Sequence, residues 1–398
     1  MGGRRSEAEE QVADLLRTAR GSLRMPVAFL SRLDGTTQHL EVVESSLPLI
    51  FRDGLTQPQE TTFCQAILDG RLPPVMPDVR QFPEAMRLPA SRIPRIRSYA
   101  AAPVVLSDGE LYGTFCAFGF TSDAELTARD KALMDVLASA AAVIIAPELR
   151  ELRRRAEIED RLAPVMAAGG PVVFLQPIVD LASGERVGSE ALSRFPAEWE
   201  MAPDVVFDEA HSVGLGDRLE VLALERAAAH LARIGGYVAM NVSPSTLLTP
   251  ECGELLRRLP LHRVLLELSE HDQVEDYAAL QEVLTPLRAA GLRLAIDDVG
   301  AGFSSLRHIV VTSPDVIKID RSIVTGLTED PVRSTLVQSL VHFAHSCDVR
   351  VVAEGVETAA EAAALAALAV DYGQGWHFGR PEPVADLEAA PGALPISA

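Results

Sequence analysis

In the second half of this sequence, one apolar run after another ends on a side chain that carries oxygen or nitrogen. Glu190 does so in GSEALSRF, Asn241 in YVAMNVS, Glu267 in VLLELSE, Asp297 and Asp298 in LRLAIDD, Lys318 in DVIKID, Glu354 in RVVAEGVE and Gln374 in DYGQGW. A single carboxylate at a strand end has a plain explanation, because strands must stop and carboxylates are common at stops. A whole series in register points instead to one shared face. Carboxylates and an amide converging there would repel one another unless cations sat between them, and hard oxygen donors suit magnesium or manganese. Asp297 and Asp298 are adjacent, so on a regular strand they would face opposite ways. Both reach one site only if the backbone turns there, which Gly300 and Gly302 permit. One carboxylate bridging two ions while its neighbour holds the second is the arrangement that a two-metal displacement at phosphorus needs.

Lysine is a rare choice in this chain: of 36 basic residues only Lys131 and Lys318 are lysine. Strand alternation puts Lys318 and Asp320 on one face, so a salt bridge serving only the fold competes with a catalytic reading. A compact ammonium can approach both a reacting water and a phosphate oxygen, which a planar guanidinium does less well. The net charge of −20 argues against binding a nucleic-acid polymer or an anionic membrane, so a phosphate-bearing ligand needs local cations. Cys64, Cys116, Cys252 and Cys347 lie far apart with no CxxC pair, which argues against a disulfide framework and a zinc finger and makes buried, reduced thiols the default.

The elements that must position these groups follow from periodicity. From Pro171 onward, short β-branched runs alternate with helical segments for over two hundred residues, the texture of a parallel sheet wound with helices and closed into a barrel. In such barrels reactive groups sit at one end, where strands pass into loops. The first half reads differently. Ser6 and Glu9 have capping-box spacing ahead of a helix with Val12, Leu15, Leu16 and Ala19 on one face. Two hairpins follow, around Asp34-Gly35 and around Ser107-Asp108-Gly109, and a helix from about Thr127 to Ala146 closes an α+β unit. Pro147 predicts a break or restart, and the charged stretch 148–162 reads as a linker helix ending at Gly169-Gly170-Pro171. The expected domains are therefore 1–146, a linker at 147–170, and a barrel at 171–398. No run of about 18 uninterrupted apolar residues is present, and the first residues lead into a charged helix, so a cytoplasmic protein with no membrane contact is expected.

The segments FLQPIVD, SEALSRF, MNVS, ELSE, IDDVGAGFSSL, IKID, VVAEGVE and GQGWHFGRP resemble, in order, the motifs of EAL-domain cyclic di-GMP phosphodiesterases, over about Pro171 to Pro383. The resemblance implies an α/β fold with a TIM-like (β/α)8 barrel, a homodimer, dependence on two magnesium or manganese ions per site, inhibition by calcium, and linear pGpG as product. Carried over by motif, Glu190, Asn241, Glu267 and Asp297 would bind one metal, and Asp297 with Asp298 the second. Glu354 would orient or deprotonate the attacking water, with Lys318 beside that water and the phosphate. Gln176 and Arg194 would hold guanine and phosphate, and Gln374 completes the set. Where the family loop usually reads DDFGTG this chain has Val299 and Ala301, and Glu270 corresponds to the glutamate that anchors that loop. The smaller Val299 is expected to leave less packing beneath it.

Residues 10–146 resemble a GAF domain, in TTFCQAILDG, the VMPDV strand and SYAAAPVVLSDGELYGTFCAF. This implies a sensory fold without specifying a ligand. His39 is the only histidine before residue 150 and reads as structural. Two readings compete with hydrolysis. A cyclic di-GMP receptor or interaction module would bind without turnover, but degenerate family members lose metal ligands and none is missing here. A metal-dependent lyase or aldolase would share the barrel, and the motif order counts against it.

Overall fold

A computed structural model describes residues 5–92, 95–269, 276–300 and 305–383. It divides into two compact units, 1–155 and 156–398.

The first unit is built on a six-stranded antiparallel sheet. Its strands are β1 (Val27–Leu33), β2 (Thr37–Ser45), β3 (Leu55–Pro58), β4 (Val75–Met76), β5 (Ser98–Val105) and β6 (Leu111–Gly119), in the order β3-β2-β1-β6-β5-β4. Both expected hairpins are present. The helix Glu7–Leu23 starts with the capping box read from the sequence, Ser6 accepting from the Glu9 backbone and Glu9 from that of Ser6. Because alternate residues face opposite sides of a sheet, the strands build two cores. On one face Ala28, Leu30, Ala100, Ala102, Phe115 and Ala117 pack with Val12 and Leu16 of the first helix and Met134 and Ala138 of a later one. On the other, Phe29, Tyr99, Ala101, Cys116 and Phe118 pack with Phe63 and Cys64 of the short helix Phe63–Leu68.

The expected break at Pro147 does not occur: a single helix runs Ala128–Ala167. Proline removes one amide donor and crowds the carbonyl four residues back, a cost of about 3 kcal/mol that side-chain packing on both sides of it outweighs. Leu137 and Ala141 sit in the first unit's core, while Ile158 and Leu162 pack with Val206, Ala210 and Leu219 in the second. One stretch of this helix is long and apolar enough, by length and composition alone, to cross a membrane, yet its Met134, Leu137, Ala138, Ala141 and Ala142 are buried in the first unit's core.

In the second unit, β7 (Val172–Asp180), β8 (Arg186–Arg194), β9 (Tyr237–Asn241), β10 (Val264–Ser269), β11 (Arg293–Val299), β12 (Val316–Ile319), β13 (Arg350–Ala353) and β14 (Tyr372–Gln374) pair in sequence order. The pairing of β14 with β7 at 178–180 closes the barrel, and β15 (Glu382–Pro383) pairs with β7 further back, at Phe174 and Leu175. Strands β8 to β14 are parallel, as the alternation of strands and helices predicts. Strand β7 runs against both neighbours, because a turn at 181–185 joins it directly to β8 where a helix would be needed for a parallel crossover.

Two apolar layers hold this barrel. Leu266, Leu294, Ile296, Ile317, Ile319 and Val351 face outward into the core beneath the helices. Ile178, Tyr237, Ala239, Leu265, Ala295, Val316 and Val352 fill the interior. Gly188 admits the Tyr237 ring to this plug: a Cβ at that position would lie 2.8 Å from the ring carbons.

Candidate active site

The interior plug dictates where the polar residues stand. Side chains on a strand return to the same face every second residue, so the residue two places beyond each plug residue also points inward, one layer nearer the strand end. Ala239 leads to Asn241, Leu265 to Glu267, Ala295 to Asp297, Val316 to Lys318, Val352 to Glu354, and Tyr372 to Gln374. On the reversed strand β7 the count runs backwards, from Ile178 to Gln176, and Gln176 pairs directly with Glu190 of β8. All eight strands thus feed one layer.

At its centre lies the Lys318 ammonium, fully buried. Its Nζ is 2.7 Å from Glu354, 3.0 Å from Glu267, 3.2 Å from Asp297 and 3.4 Å from Glu190. Asp320 is not among these partners. It caps the next short helix by accepting from the Ser322 amide, so the Lys318–Asp320 bridge considered from alternation is replaced by a cluster of four carboxylates.

Glu190 is the most thoroughly held of the four. Its Oε1 accepts from Asn241 Nδ2 at 3.0 Å and its Oε2 from Gln374 Nε2 at 2.5 Å. Gln374 Nε2 also reaches Gln176 Oε1 at 3.1 Å, and Gln176 Nε2 donates to the Gly379 carbonyl.

One ammonium cannot neutralise four carboxylates, and like charges about 4 Å apart repel by roughly 4 kcal/mol at an effective dielectric of about 20. The result is uneven ionisation. Burial works against the charge on Glu190, but Lys318, Gln374 and Asn241 together hold its carboxyl below the usual range. Glu267 is driven well above that range by burial, with the other carboxylates adding to it against Lys318. Burial likewise raises Glu354, to about 8. Burial opposes the Lys318 charge too, yet the surrounding carboxylates overcome it and raise its value well above the ordinary one.

Asp297 and Asp298 both join the site, but glycine is not what turns the chain there. The pairing of β11 with β12 slips by one residue between Ile296 and Val299, a bulge, and Asp298 itself takes a left-handed φ of 58°. Aspartate tolerates this region better than most residues, and the Asp298 amide donates to Asp297 Oδ1 at 2.9 Å. Gly300 also has positive φ, at 105°, one turn later. Val299, expected to leave slack packing, is buried in the outer core. Gly302, Ala301 and the loop anchor Glu270 lie outside the described residues.

The residues present fit a pair of hard cations. Two groups of carboxylates each bring one oxygen per residue within 4.8 Å of the others: Glu190, Glu267 and Asp297, and then Asp297, Asp298 and Glu354. Asp297 is common to both. Glu267 Oε1 and Gln374 Oε1 are buried without a hydrogen-bond partner, a cost that a cation would relieve. The second group includes Glu354, which sequence reading had assigned to the water alone.

A match to the model of the EAL domain spans residues 159–381. This chain belongs to the EAL-domain family. Residues 6–146 match a GAF domain, so the order is GAF then EAL. Over 253 residues the chain is 30% identical to the probable cyclic di-GMP phosphodiesterase PdeB of Escherichia coli K12, covering 60% of this chain and 48% of that protein. Over 246 residues it is 32% identical to the cyclic di-GMP phosphodiesterase NbdA of Pseudomonas aeruginosa, covering 58% and 31%. It is also similar to the solved PaMucR phosphodiesterase in complex with c-di-GMP, with 27% identity, a TM-score of 0.52, and coverage of 58% of this chain and 99% of that one. The chain spans less than half the length of these two curated relatives.

Two cavities open on the carboxylate layer of the EAL barrel. The larger, about 560 Å³, is lined by Arg194, Asn241 and Glu267 together with Asp204, Phe207 and His211. The smaller, about 300 Å³, exposes Gln176, Glu190, Asp297, Glu354, Gln374 and Trp376. Gln176 and Arg194, paired in the sequence reading, therefore face different cavities. The Arg194 guanidinium donates to the Ser193 carbonyl and lies 5.5 Å over the Phe174 ring. Arg321 also lines the smaller cavity, paired with Glu357 at 3.1 Å. Sequence reading passed over it, although its place just after the IKID strand was the available signal. His211, beside the larger cavity, bonds Glu220 at 2.7 Å, and that contact raises its pKa against the opposing effect of burial.

Proposed function

We propose that this chain hydrolyses cyclic di-GMP to linear pGpG with two divalent ions, and that its GAF unit regulates the reaction. The observation that carries the reading is the pair of carboxylate groups sharing Asp297. Glu190, Asn241, Glu267 and Asp297 would hold one magnesium or manganese ion, Asn241 through its carbonyl oxygen, and Asp297 with Asp298 the other. Glu354 stands close enough to serve as a further ligand of the second. Ions bound there would polarise the phosphodiester and activate the attacking water.

The remaining chemistry belongs to side chains of this chain. Water adds to phosphorus, one P–O ester bond breaks, and the departing alcohol oxygen takes a proton. Burial raises the Glu354 carboxyl to about 8, so it is largely protonated until cations bind beside it; bound cations would displace that proton and leave a carboxylate able to orient the attacking water and accept its proton. Lys318, 2.7 Å from Glu354, keeps that carboxylate turned into the site and brings positive charge to a protein of net charge −20. Gln374 and Asn241 fix the Glu190 carboxylate from two sides, so its orientation costs nothing at the moment of reaction. Arg194 and Arg321 supply a cation to each cavity, the local positive charge a dianionic nucleotide needs. The similarity to phosphodiesterases at about 30% identity supports the same substrate. A homodimer is part of this proposal.

Incubating the purified chain with cyclic di-GMP and magnesium or manganese, then separating the nucleotides by chromatography, tests the reading. Metal-dependent appearance of pGpG is expected, lost in Glu190→Ala. Tight binding with no product in either metal would favour the receptor reading.

A further inference from the structure

The GAF unit contains a polar cluster inside an otherwise apolar core. Cys64, in the helix Phe63–Leu68, and Cys116, on β6, are both free thiols, 1% and 0% exposed, with their sulfur atoms 3.4 Å apart. Gln38 Nε2 donates to Cys64 Sγ at 2.9 Å, and the Tyr99 hydroxyl lies 3.0 Å from the same sulfur. Cys116 Sγ is 3.2 Å from Thr114 Oγ1, which in turn meets Ser31 Oγ at 2.9 Å. Two cysteines serving only as small core hydrophobes would not need these partners, since each buried polar group must be matched at a cost that an apolar pair avoids.

We propose that Cys64 and Cys116 form a reversible redox pair that closes to an intramolecular disulfide when the protein meets a hydroperoxide. The Cys64 sulfur attacks the terminal oxygen of the hydroperoxide, breaking the O–O bond, releasing an alcohol (water, from hydrogen peroxide) and leaving a sulfenic acid. The Cys116 sulfur then attacks Cys64, the S–O bond breaks, and water leaves. The two thiol protons end in the alcohol and the water, and the two electrons go to the peroxide.

The environment divides these roles. Burial pushes both thiols up, but hydrogen bonds from Cys116, Thr114, Tyr99 and Gln38 bring Cys64 below its ordinary value while Cys116 stays well above. Cys64, with Gln38 donating to its sulfur and the Tyr99 hydroxyl beside it, is therefore the attacking sulfur of the pair and Cys116 the resolving thiol. Bond formation requires the sulfurs to approach by about 1.4 Å, to the roughly 2.05 Å of a disulfide. Cys116 is held in the middle of the sheet, paired with Phe29 of β1 and Ala101 of β5. The six-residue helix carrying Cys64 is the part that moves. Since both thiols are buried, oxidation proceeds through local opening and runs slower than at the exposed Cys347.

The test uses the full chain under native conditions. Protein treated with hydrogen peroxide is denatured, alkylated and mapped by mass spectrometry. The expected result is a peptide joining Cys64 to Cys116, lighter than the reduced pair by two hydrogens, about 2 Da, and restored to two thiols by dithiothreitol. Cys347→Ser should keep this crosslink, whereas Cys116→Ser should leave Cys64 as a trappable sulfenic acid. Complete oxidation of Cys347 with no Cys64–Cys116 peptide would overturn the proposal, as would sulfinic acid at Cys64 of the wild-type chain without any crosslink. The decisive reading is on the wild-type chain and does not depend on a variant folding or on phosphodiesterase activity.

Discussion

Replacing Lys318 by methionine removes the ammonium from the carboxylate cluster while keeping most of the side-chain volume. Each contact of 2.7 to 3.4 Å is worth roughly 5 to 6 kcal/mol of Coulomb energy at an effective dielectric of about 20, but carboxylates left unpaired take up protons instead of bearing the full repulsion. The net cost is therefore that of breaking a buried ion pair, about 3 to 5 kcal/mol. For a unit of this size each kcal/mol shifts the midpoint by about 2 to 4 °C, so the metal-free variant should melt roughly 6 to 20 °C lower. Trp199 and Trp376 are the only tryptophans and both lie in the second unit, so tryptophan fluorescence follows the barrel alone. The pH dependence has a definite sign. Lys318 has a folded value above 10.5, so its contribution is fully present below that pH and disappears only as pH rises through the folded value. Glu267 and Glu354 are raised in the fold, which therefore binds more protons than the unfolded chain; stability falls as pH rises from about 4.5 through about 8. Without Lys318 these carboxylates should rise further, and the deficit of the variant should shrink as pH is lowered from about 8 to about 5. Added manganese should recover most of the melting temperature, with turnover still down about a hundredfold or more. A metal-free variant that melts like wild type at pH 8, or a deficit that grows on acidification, would refute this account of the cluster.

Because Asp297 belongs to both carboxylate groups, Asp297→Asn should abolish tight manganese binding altogether, while Asp298→Asn should lose one of two ions; calorimetric stoichiometry distinguishes them. Manganese binding to the metal-free protein must displace protons from Glu267 and Glu354, so apparent affinity should rise with pH, about tenfold per unit for each proton released, with Glu354's share of the slope ending above its value of about 8. A flat titration between pH 6 and 8 would mean that neither carboxyl holds a proton in the free site.

Much of the site was legible because barrel strands obey a period of two and end at a common level. Glu190, Asn241, Glu267, Lys318, Glu354 and Gln374 could be singled out from apolar runs alone, and the structure brings them into one layer. What local pattern could not reveal was which groups meet across strands. Lys318 and Asp320 share parity, yet one points into the barrel and the other caps a helix, because the strand ends at Ile319. The adjacent aspartates both reach the site through a bulge at a non-glycine residue, and only the pairing of β11 with β12 reveals that slip. Pro147 misled for a related reason: its missing amide is a local signal, whereas the packing that carries the helix through it comes from residues far away in the chain.

The chain order therefore determined the kinds of group available, their spacing along each strand, and the alternation of elements from which a barrel is built. Closure of that barrel decided everything that depends on distance between strands: the ammonium enclosed by four carboxylates, Asp297 common to two of their groups, and the division of Gln176 and Arg194 between two cavities. Periodicity is a property of one strand at a time. Charge repulsion and ionisation depend on the separations that only the folded chain sets.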